Sequence, residues 1–187
     1  MVSLTQLWLP ILLSAVMVFV ASSLIHTVIQ WHKSDYHGLS NEDEVRAAIR
    51  KGSPAPGMYT LPRCEDMKDM GKPEMQEKFK EGPVAFLVLR ANGAPSMGSS
   101  LSLWFVYCAI VSVFTAYLTG HAQVDGATFI KIFRFAATAA FMAYAGGALP
   151  MGIWWGQPWR AVAKDILDAL IYGLITGGTF GWLWPHV

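Results

Sequence analysis

Charge is what this sequence has least of. Charged residues make up 14% of its 187 residues, whereas 53% are hydrophobic and the mean hydropathy is +0.37. Soluble domains carry roughly 25% charged residues. Ten of the 14 basic and ten of the 13 acidic residues lie within residues 32–98, so the rest of the chain is almost uncharged. The distribution predicts an integral membrane protein with one polar insertion, and the net charge of +1 argues against a nucleic-acid partner.

Cysteines and chemical motifs are also scarce. Cys64 lies in the polar stretch and Cys108 in an apolar run, so we expect two free thiols rather than a disulfide. The sequence has no Gly-rich phosphate loop, no Gly-x-Ser-x-Gly and no His-Glu-x-x-His. It also lacks the paired Gly/Pro breaks of a secondary transporter. These absences predict no cofactor and place an enzyme behind the other function classes.

Long hydrophobic runs are what the sequence does contain. At 1.5 Å per residue, a run of about 20 residues crosses a hydrocarbon core of about 30 Å. The first run has no basic start and is too long for a cleaved signal core, so we expect it to be retained. The predicted fold class is an all-α integral membrane protein with four transmembrane helices. The runs are residues 7–29, 99–120, 127–147 and 164–184.

The polar insertion is predicted to be a small α+β extramembrane cap between helices 1 and 2. Two short helices and two short strands are expected there, the first helix with Asn41 or Ser40 as its cap. The domain organisation is therefore residues 1–30 for helix 1, 31–98 for the cap and 99–187 for helices 2–4. The expected cap elements are helices at 41–51 and 73–81 and strands at 58–61 and 84–89.

Basic residues and tryptophans predict the orientation. The ten basic residues of the insertion, together with Arg160 and Lys164, place twelve of the 14 on one side of a four-helix model. The positive-inside rule makes that side cytoplasmic and puts both termini outside, as in a bacterial inner-membrane protein. All eight tryptophans fall at predicted boundaries, as an aromatic belt requires, and residues 149–159 are predicted to be an interfacial loop.

The last helix carries a stripe of small residues spaced four apart, which lets a neighbouring backbone approach closely. A similar stripe on the third helix makes an intramolecular hairpin the preferred interpretation, and an intermolecular groove is the alternative. The stripe of the last helix is Ala169, Gly173, Gly177 and Gly181, and that of the third helix is Ala139, Ala143 and Gly147.

The densest ionisable stretch is residues 26–37, HTVIQWHKSDYH. Its histidines are six and five residues apart, spacings that do not share one face of a continuous helix. The pattern matches no metal-ligand motif, so we predict a hydrogen-bonding helix exit and no metal site. The residues that could ligate a metal, if one were bound, are His26, His32, Asp35 and His37.

Other ionisable residues lie within the hydrophobic runs. Asp168 either pairs with His26 at a similar depth or acts as a first-turn acid favoured by the helix dipole. Lys131 and Arg134 are expected to snorkel to the membrane surface, where Arg134 could bind the headgroup of an anionic phospholipid or an acidic residue of a partner chain.

Three function classes follow. The leading prediction is a structural or accessory subunit of a membrane complex or homo-oligomer, with lipids and other membrane chains, self or hetero, as partners. The first alternative is a small transporter or channel with a polar path near Asp168, His26 and Arg134. The second is a membrane enzyme that uses the His26 to His37 cluster at the cytoplasmic interface.

Overall fold

The computed structural model of the protein describes residues 2–185 and is mainly helical. One compact unit comprises the chain up to Tyr36 together with the chain from Ser96 onwards, and a second unit is His37–Pro95. In chain order the elements are α1 (Trp8–Leu24), a π-helical turn (Ile25–Ile29), a 3-10 turn (Trp31–Asp35), α2 (Glu42–Lys51), β1 (Gly57–Leu61), a second 3-10 turn (Met67–Gly71), α3 (Pro73–Glu81), β2 (Ala85–Leu89), α4 (Met97–Ala122), α5 (Phe129–Ala145), α6 (Ala148–Trp155) and α7 (Trp159–Trp182).

Within residues 2–185, three segments are long and apolar enough to cross a membrane: Trp8–Ile29, Met97–Ala122 and Phe129–Trp155. Their mean hydropathies are 2.2, 1.9 and 1.3. α7 is also long, but Lys164, Asp165 and Asp168 make its first half polar. The bundle therefore has the composition of a membrane protein, with three such segments where the sequence predicted four.

The third segment includes an unexpected helix. Residues 149–159 were expected to form a loop, yet α6 covers most of them. Pro150 is the third residue of α6, in the first turn, where its missing N–H has no intrahelical partner to lose. The proline therefore does not end the helix, and the loop prediction was wrong here.

α7 packs against α5 through its glycines. A Cβ at Gly177 would lie 2.6 Å from the Ala137 Cβ and 2.8 Å from the Phe133 carbonyl oxygen. A Cβ at Gly173 would lie 2.9 Å from the Ala137 oxygen. All three distances are shorter than an ordinary van der Waals contact, so the stripe is filled by a helix of the same chain.

The opposing surface of α5 is not the predicted one. Ala137 faces the glycines, whereas Ala143 and Gly147 are exposed and Ala139 is half-buried. The glycines themselves supply the room for close approach, so the facing helix needs a single small residue at the crossing rather than a matching stripe.

The eight tryptophans differ in exposure. Five are exposed, as residues of an aromatic belt are, and two are half-buried: the exposed ones are Trp8, Trp154, Trp155, Trp159 and Trp182, and the half-buried ones are Trp31 and Trp104. Trp184 is buried, and its indole N–H donates to the Val124 carbonyl oxygen at 3.1 Å. Trp184 therefore packs inside the protein, contrary to its predicted place in the belt.

The second unit contains a small antiparallel sheet and two helices. β1 pairs with β2 in a register that places Gly57 opposite Leu89 and Leu61 opposite Ala85. α3 has the bounds predicted from Pro73 at its start and Gly82-Pro83 after its end. α2 follows Asn41, but the Asn41 side chain makes no cap hydrogen bond within the described chain, so the predicted capping by this side chain is wrong, whereas the predicted acidic residues do occupy the first turn.

Candidate metal centre

The exit from α1 reverses direction in a few residues. The Gln30 N–H donates to the Ile25 carbonyl oxygen at 2.8 Å, a five-residue π-type bond, and Gln30 itself is left-handed with φ 53°. The 3-10 turn that follows brings His32 back onto His26, with ring centroids 5.0 Å apart and planes 6° from parallel. Their spacing of six residues does not separate the two rings, because the helix is not continuous between them.

Asp168 of α7 meets this turn in the interior. The residue is 5% exposed, and its Oδ2 lies 3.0 Å from His32 Nε2. The sequence suggested His26 as its partner, whereas the observed partner is His32. Asp168 Oδ1 is buried and has no hydrogen-bond partner among residues 2–185. A buried carboxylate oxygen without a partner is costly, so this atom is available to a ligand.

The other ring nitrogen of His32 faces a second carboxylate. His32 Nδ1 lies 3.1 Å from Asp35 Oδ2. A neutral imidazole donates from one nitrogen, so an Nδ1–H donated to Asp35 leaves the Nε2 lone pair directed towards Asp168. A carboxylate that orients a histidine in this way is the usual companion of a metal-binding imidazole.

Lys164 fixes Asp35 in place. Its Nζ donates to the Trp31 carbonyl oxygen at 2.7 Å, to Ser34 Oγ at 2.9 Å and to Asp35 Oδ1. All three ammonium donors are thereby used. The hydrogen bond from Lys164 holds the pKa of Asp35 below its usual range, so Asp35 is a carboxylate at neutral pH.

In the sequence Lys164 counts only as one of the positive charges that predict orientation, and its contact with the α1 exit was not predicted. The available signal was its spacing: Lys164 and Asp168 are four residues apart and therefore share one face of α7.

His26 completes the cluster. Its Nδ1 lies 2.9 Å from the Ser22 carbonyl oxygen, which leaves Nε2 available. One potential ligand atom from each of His26, His32 and Asp168 lies within 4.8 Å of the others. His26 is exposed whereas Asp168 is buried, so the cluster has one adjustable member and one fixed member.

A cavity of about 690 Å³ adjoins the cluster within the same unit. His26, Asp165 and Asp168 contribute to its lining, and an aromatic wall stands beside them. Tyr144 belongs to that wall, and its buried hydroxyl forms no hydrogen bond to oxygen or nitrogen in the described part of the chain; its polar neighbour is the Cys108 thiol. The aromatic residues of the wall are Trp104, Tyr107, Tyr144 and Tyr172.

The remaining predicted site residues lie elsewhere. His37 belongs to the second unit, and Lys131 and Arg134 are exposed on α5. Asp35 is near the cluster but acts on His32 and Lys164 rather than as one of the three converging ligands.

Comparison of the chain with protein-family models, with characterised proteins and with solved structures gives no match.

Proposed function

We propose that this chain is an integral membrane protein that binds one divalent transition-metal ion, of the zinc class, through His26, His32 and Asp168. The observation that carries the proposal is the convergence of these three side chains within 4.8 Å around a carboxylate that is 5% exposed. Two imidazoles and a carboxylate suit zinc and its neighbours rather than Mg²⁺ or Ca²⁺, which prefer oxygen ligands.

The distances between the proposed ligand atoms are close to those of a tetrahedral metal site, and only a small movement of His26 is needed. Two tetrahedral ligands about 2.1 Å from an ion lie about 3.4 Å from each other. His32 Nε2 and Asp168 Oδ2 are already 3.0 Å apart. A metal lies in the plane of each imidazole that binds it, so the parallel ring of His26 has to tilt. Its exposure allows that rotation while half-buried His32 and buried Asp168 stay in place.

Three protein ligands with an open fourth position characterise catalytic zinc sites, whereas structural sites use four protein ligands. The open position here adjoins the cavity. An open coordination position beside a cavity favours the membrane-enzyme class over the accessory subunit. The small-residue stripe that supported a subunit role is occupied within the chain by α5.

The proposal includes a membrane arrangement. α7 serves as a fourth span whose polar first half is shielded by the α1 exit, since Asp168 and Lys164 both bond to it. Residues 37–95 lie in the cytoplasm as a cap, with the termini outside, in a bacterial inner membrane.

Arg134 holds an anionic phospholipid, which Arg134→Ala should strip from the purified protein; unchanged lipid content would contradict this.

Metal analysis and Co²⁺ titration of the purified full-length protein test the metal site. The wild type should bind about one equivalent, and the tetrahedral Co²⁺ complex should absorb in the visible range. Asp168→Asn and His32→Ala should lose that complex, because the first replaces an anionic ligand with a weakly coordinating amide and the second removes an imidazole. The matched control is His121→Ala, since His121 is exposed at the far end of α4 and bonds the Tyr117 carbonyl oxygen of its own helix.

Folding has to be separated from binding in these variants. A loss of metal binding is interpreted only for a variant whose circular dichroism spectrum and size-exclusion elution match those of the wild type. The proposal is overturned if the wild type binds no stoichiometric metal, or if well-folded Asp168→Asn binds it as tightly as the wild type does.

A further inference from the structure

We infer that the cavity beside His26 and Asp168 binds a membrane-dissolved amphiphile, with an oxygen-donor headgroup on the metal and an apolar chain along the aromatic wall. The inference rests on the metal site proposed above. It adds the chemical class of the ligand, which the metal ligands by themselves do not specify.

The residues that line the cavity indicate where the headgroup of the ligand binds. Two of the three proposed metal ligands, His26 and Asp168, are among the residues that line the cavity. An ion held there therefore presents its open coordination position to the cavity. A borderline-soft ion with one carboxylate ligand accepts a further oxygen donor, and the two positive charges of the ion attract a headgroup that carries a negative one.

The remaining walls of the cavity indicate where the apolar chain of the ligand lies. Met97 and Leu101 of α4 line the cavity and are 70% and 43% exposed, so its mouth lies on the outer surface of the bundle. When α4 crosses a bilayer, that surface faces lipid tails. A volume of about 690 Å³ is in the range of cavities that enclose a small organic ligand rather than an isolated ion.

Tyr144 supplies the second polar anchor. Its hydroxyl is buried and forms no hydrogen bond to oxygen or nitrogen among residues 2–185. The polar group beside it is the Cys108 thiol, which is only a weak hydrogen-bonding partner, whereas a buried hydroxyl normally forms a full hydrogen bond. Its ring centroid is 5.3 Å from that of Tyr172, which is one helical turn beyond Asp168. A headgroup with two oxygens, such as a carboxylate or a hydroxamate, can bind the ion with one oxygen and accept from Tyr144 with the other.

Alkyl hydroxamates provide a direct test on Co²⁺-loaded protein in lipid nanodiscs. Acetohydroxamate, butanohydroxamate and hexanohydroxamate should each shift the visible Co²⁺ absorption. Affinity should rise about fourfold for each added methylene that the cavity buries. Tyr144→Phe should weaken hexanohydroxamate binding about fivefold, the loss expected for one hydrogen bond of about 1 kcal/mol.

Leu101→Trp fills the cavity and should weaken hexanohydroxamate binding at least tenfold while leaving acetohydroxamate nearly unchanged. Leu103→Trp is the matched control, because Leu103 lies on the same helix, is 67% exposed and is not part of the cavity lining. The control also corrects for partition of longer chains into the lipid.

The outcomes separate the two proposals. A protein that gives no Co²⁺ absorption refutes the metal site itself. A protein that binds Co²⁺ but shows no dependence on chain length, or equal effects of Leu101→Trp and Leu103→Trp, keeps the metal site and refutes the amphiphile.

Discussion

His32 has a carboxylate at each ring nitrogen, and the two carboxylates come from opposite ends of the chain. Asp35 lies three residues away and Asp168 lies 136 residues away. The near carboxylate orients the ring, and the far one shares the proposed ion with it. Because Lys164 neutralises Asp35, the charge left to attract a cation comes from Asp168, together with partly exposed Asp165. The residues of the site therefore differ in role even where they are alike in chemistry.

Asp35→Asn tests this division of roles. The substitution removes the charge that orients His32 and engages Lys164 but leaves all three proposed ligands in place. We expect metal affinity to fall about 10- to 100-fold, as measured by competition with a chromophoric chelator. Asp43→Asn is the control, since Asp43 is an exposed carboxylate of α2 whose ion-pair partner is Arg46. Equal affinities for Asp35→Asn and the wild type would show that Asp35 does not support the site.

At the scale of single elements, the two halves of α7 have different roles. Its first half carries Lys164, Asp165 and Asp168, which bond to the α1 exit and to Gln157. Its second half carries the glycines that allow α5 to approach. Close packing against α5 fixes the position of the helix, and that position places Asp168 opposite His32. The small-residue stripe is occupied by α5 within the chain, and we expect the packing that it allows to hold Asp168 in place for the proposed site.

Gly177→Leu and Gly178→Leu form a matched pair on α7. A Cβ at Gly177 would meet α5 at 2.6 Å, whereas a Cβ at Gly178 has nothing within 4 Å in the described structure. We expect Gly177→Leu to destabilise the bundle by about 1–3 kcal/mol or more, through overpacking, and Gly178→Leu to leave it near wild type. Thermal unfolding in detergent measures the difference. A Gly177→Leu variant that stays folded but loses an oligomer would instead assign the stripe to an intermolecular contact.

The sequence predicted the hairpin of α5 and α7 but not its register. Spacing of four identified Gly173 and Gly177 as a groove, because helical periodicity is a local property. Which surface of α5 fills the groove depends on where the two helices cross, so Ala137 could not be preferred over Ala139 or Ala143 in advance. The α1 exit was missed for a related reason: neither a π-type turn nor a left-handed Gln30 has a reliable sequence signal.

For the whole molecule, the apolar segments and the polar insertion lie in different compact units. The division follows the charge distribution, since residues 37–95 carry most of the ionisable groups. His32 and Asp35 are exceptions, because the chain up to Tyr36 belongs to the helical unit although its composition resembles that of the insertion. Orientation across a membrane remains a prediction based on the basic residues and has its own test.

Native cysteines provide that test. Cys64 is partly exposed in the second unit, whereas Cys108 is fully buried in α4. If residues 37–95 are cytoplasmic, a membrane-impermeant maleimide should label Cys64 in spheroplasts only after the membrane is permeabilised. Cys64→Ser should abolish the signal, which confirms that Cys108 is not reached. Labelling of intact spheroplasts would reverse the predicted orientation.

The sequence by itself determined the membrane character, the position of the polar insertion and the glycine face of the last helix. Each depends on composition or on periodicity within about 25 residues, and these are local properties of the chain. Only the tertiary structure decided that His26, His32 and Asp168 converge, that Asp35 and Lys164 support them, and that Trp184 is interior. Those outcomes depend on a reversal of the backbone at Gln30 and on the depth at which α7 packs, so they arise from contacts between distant segments.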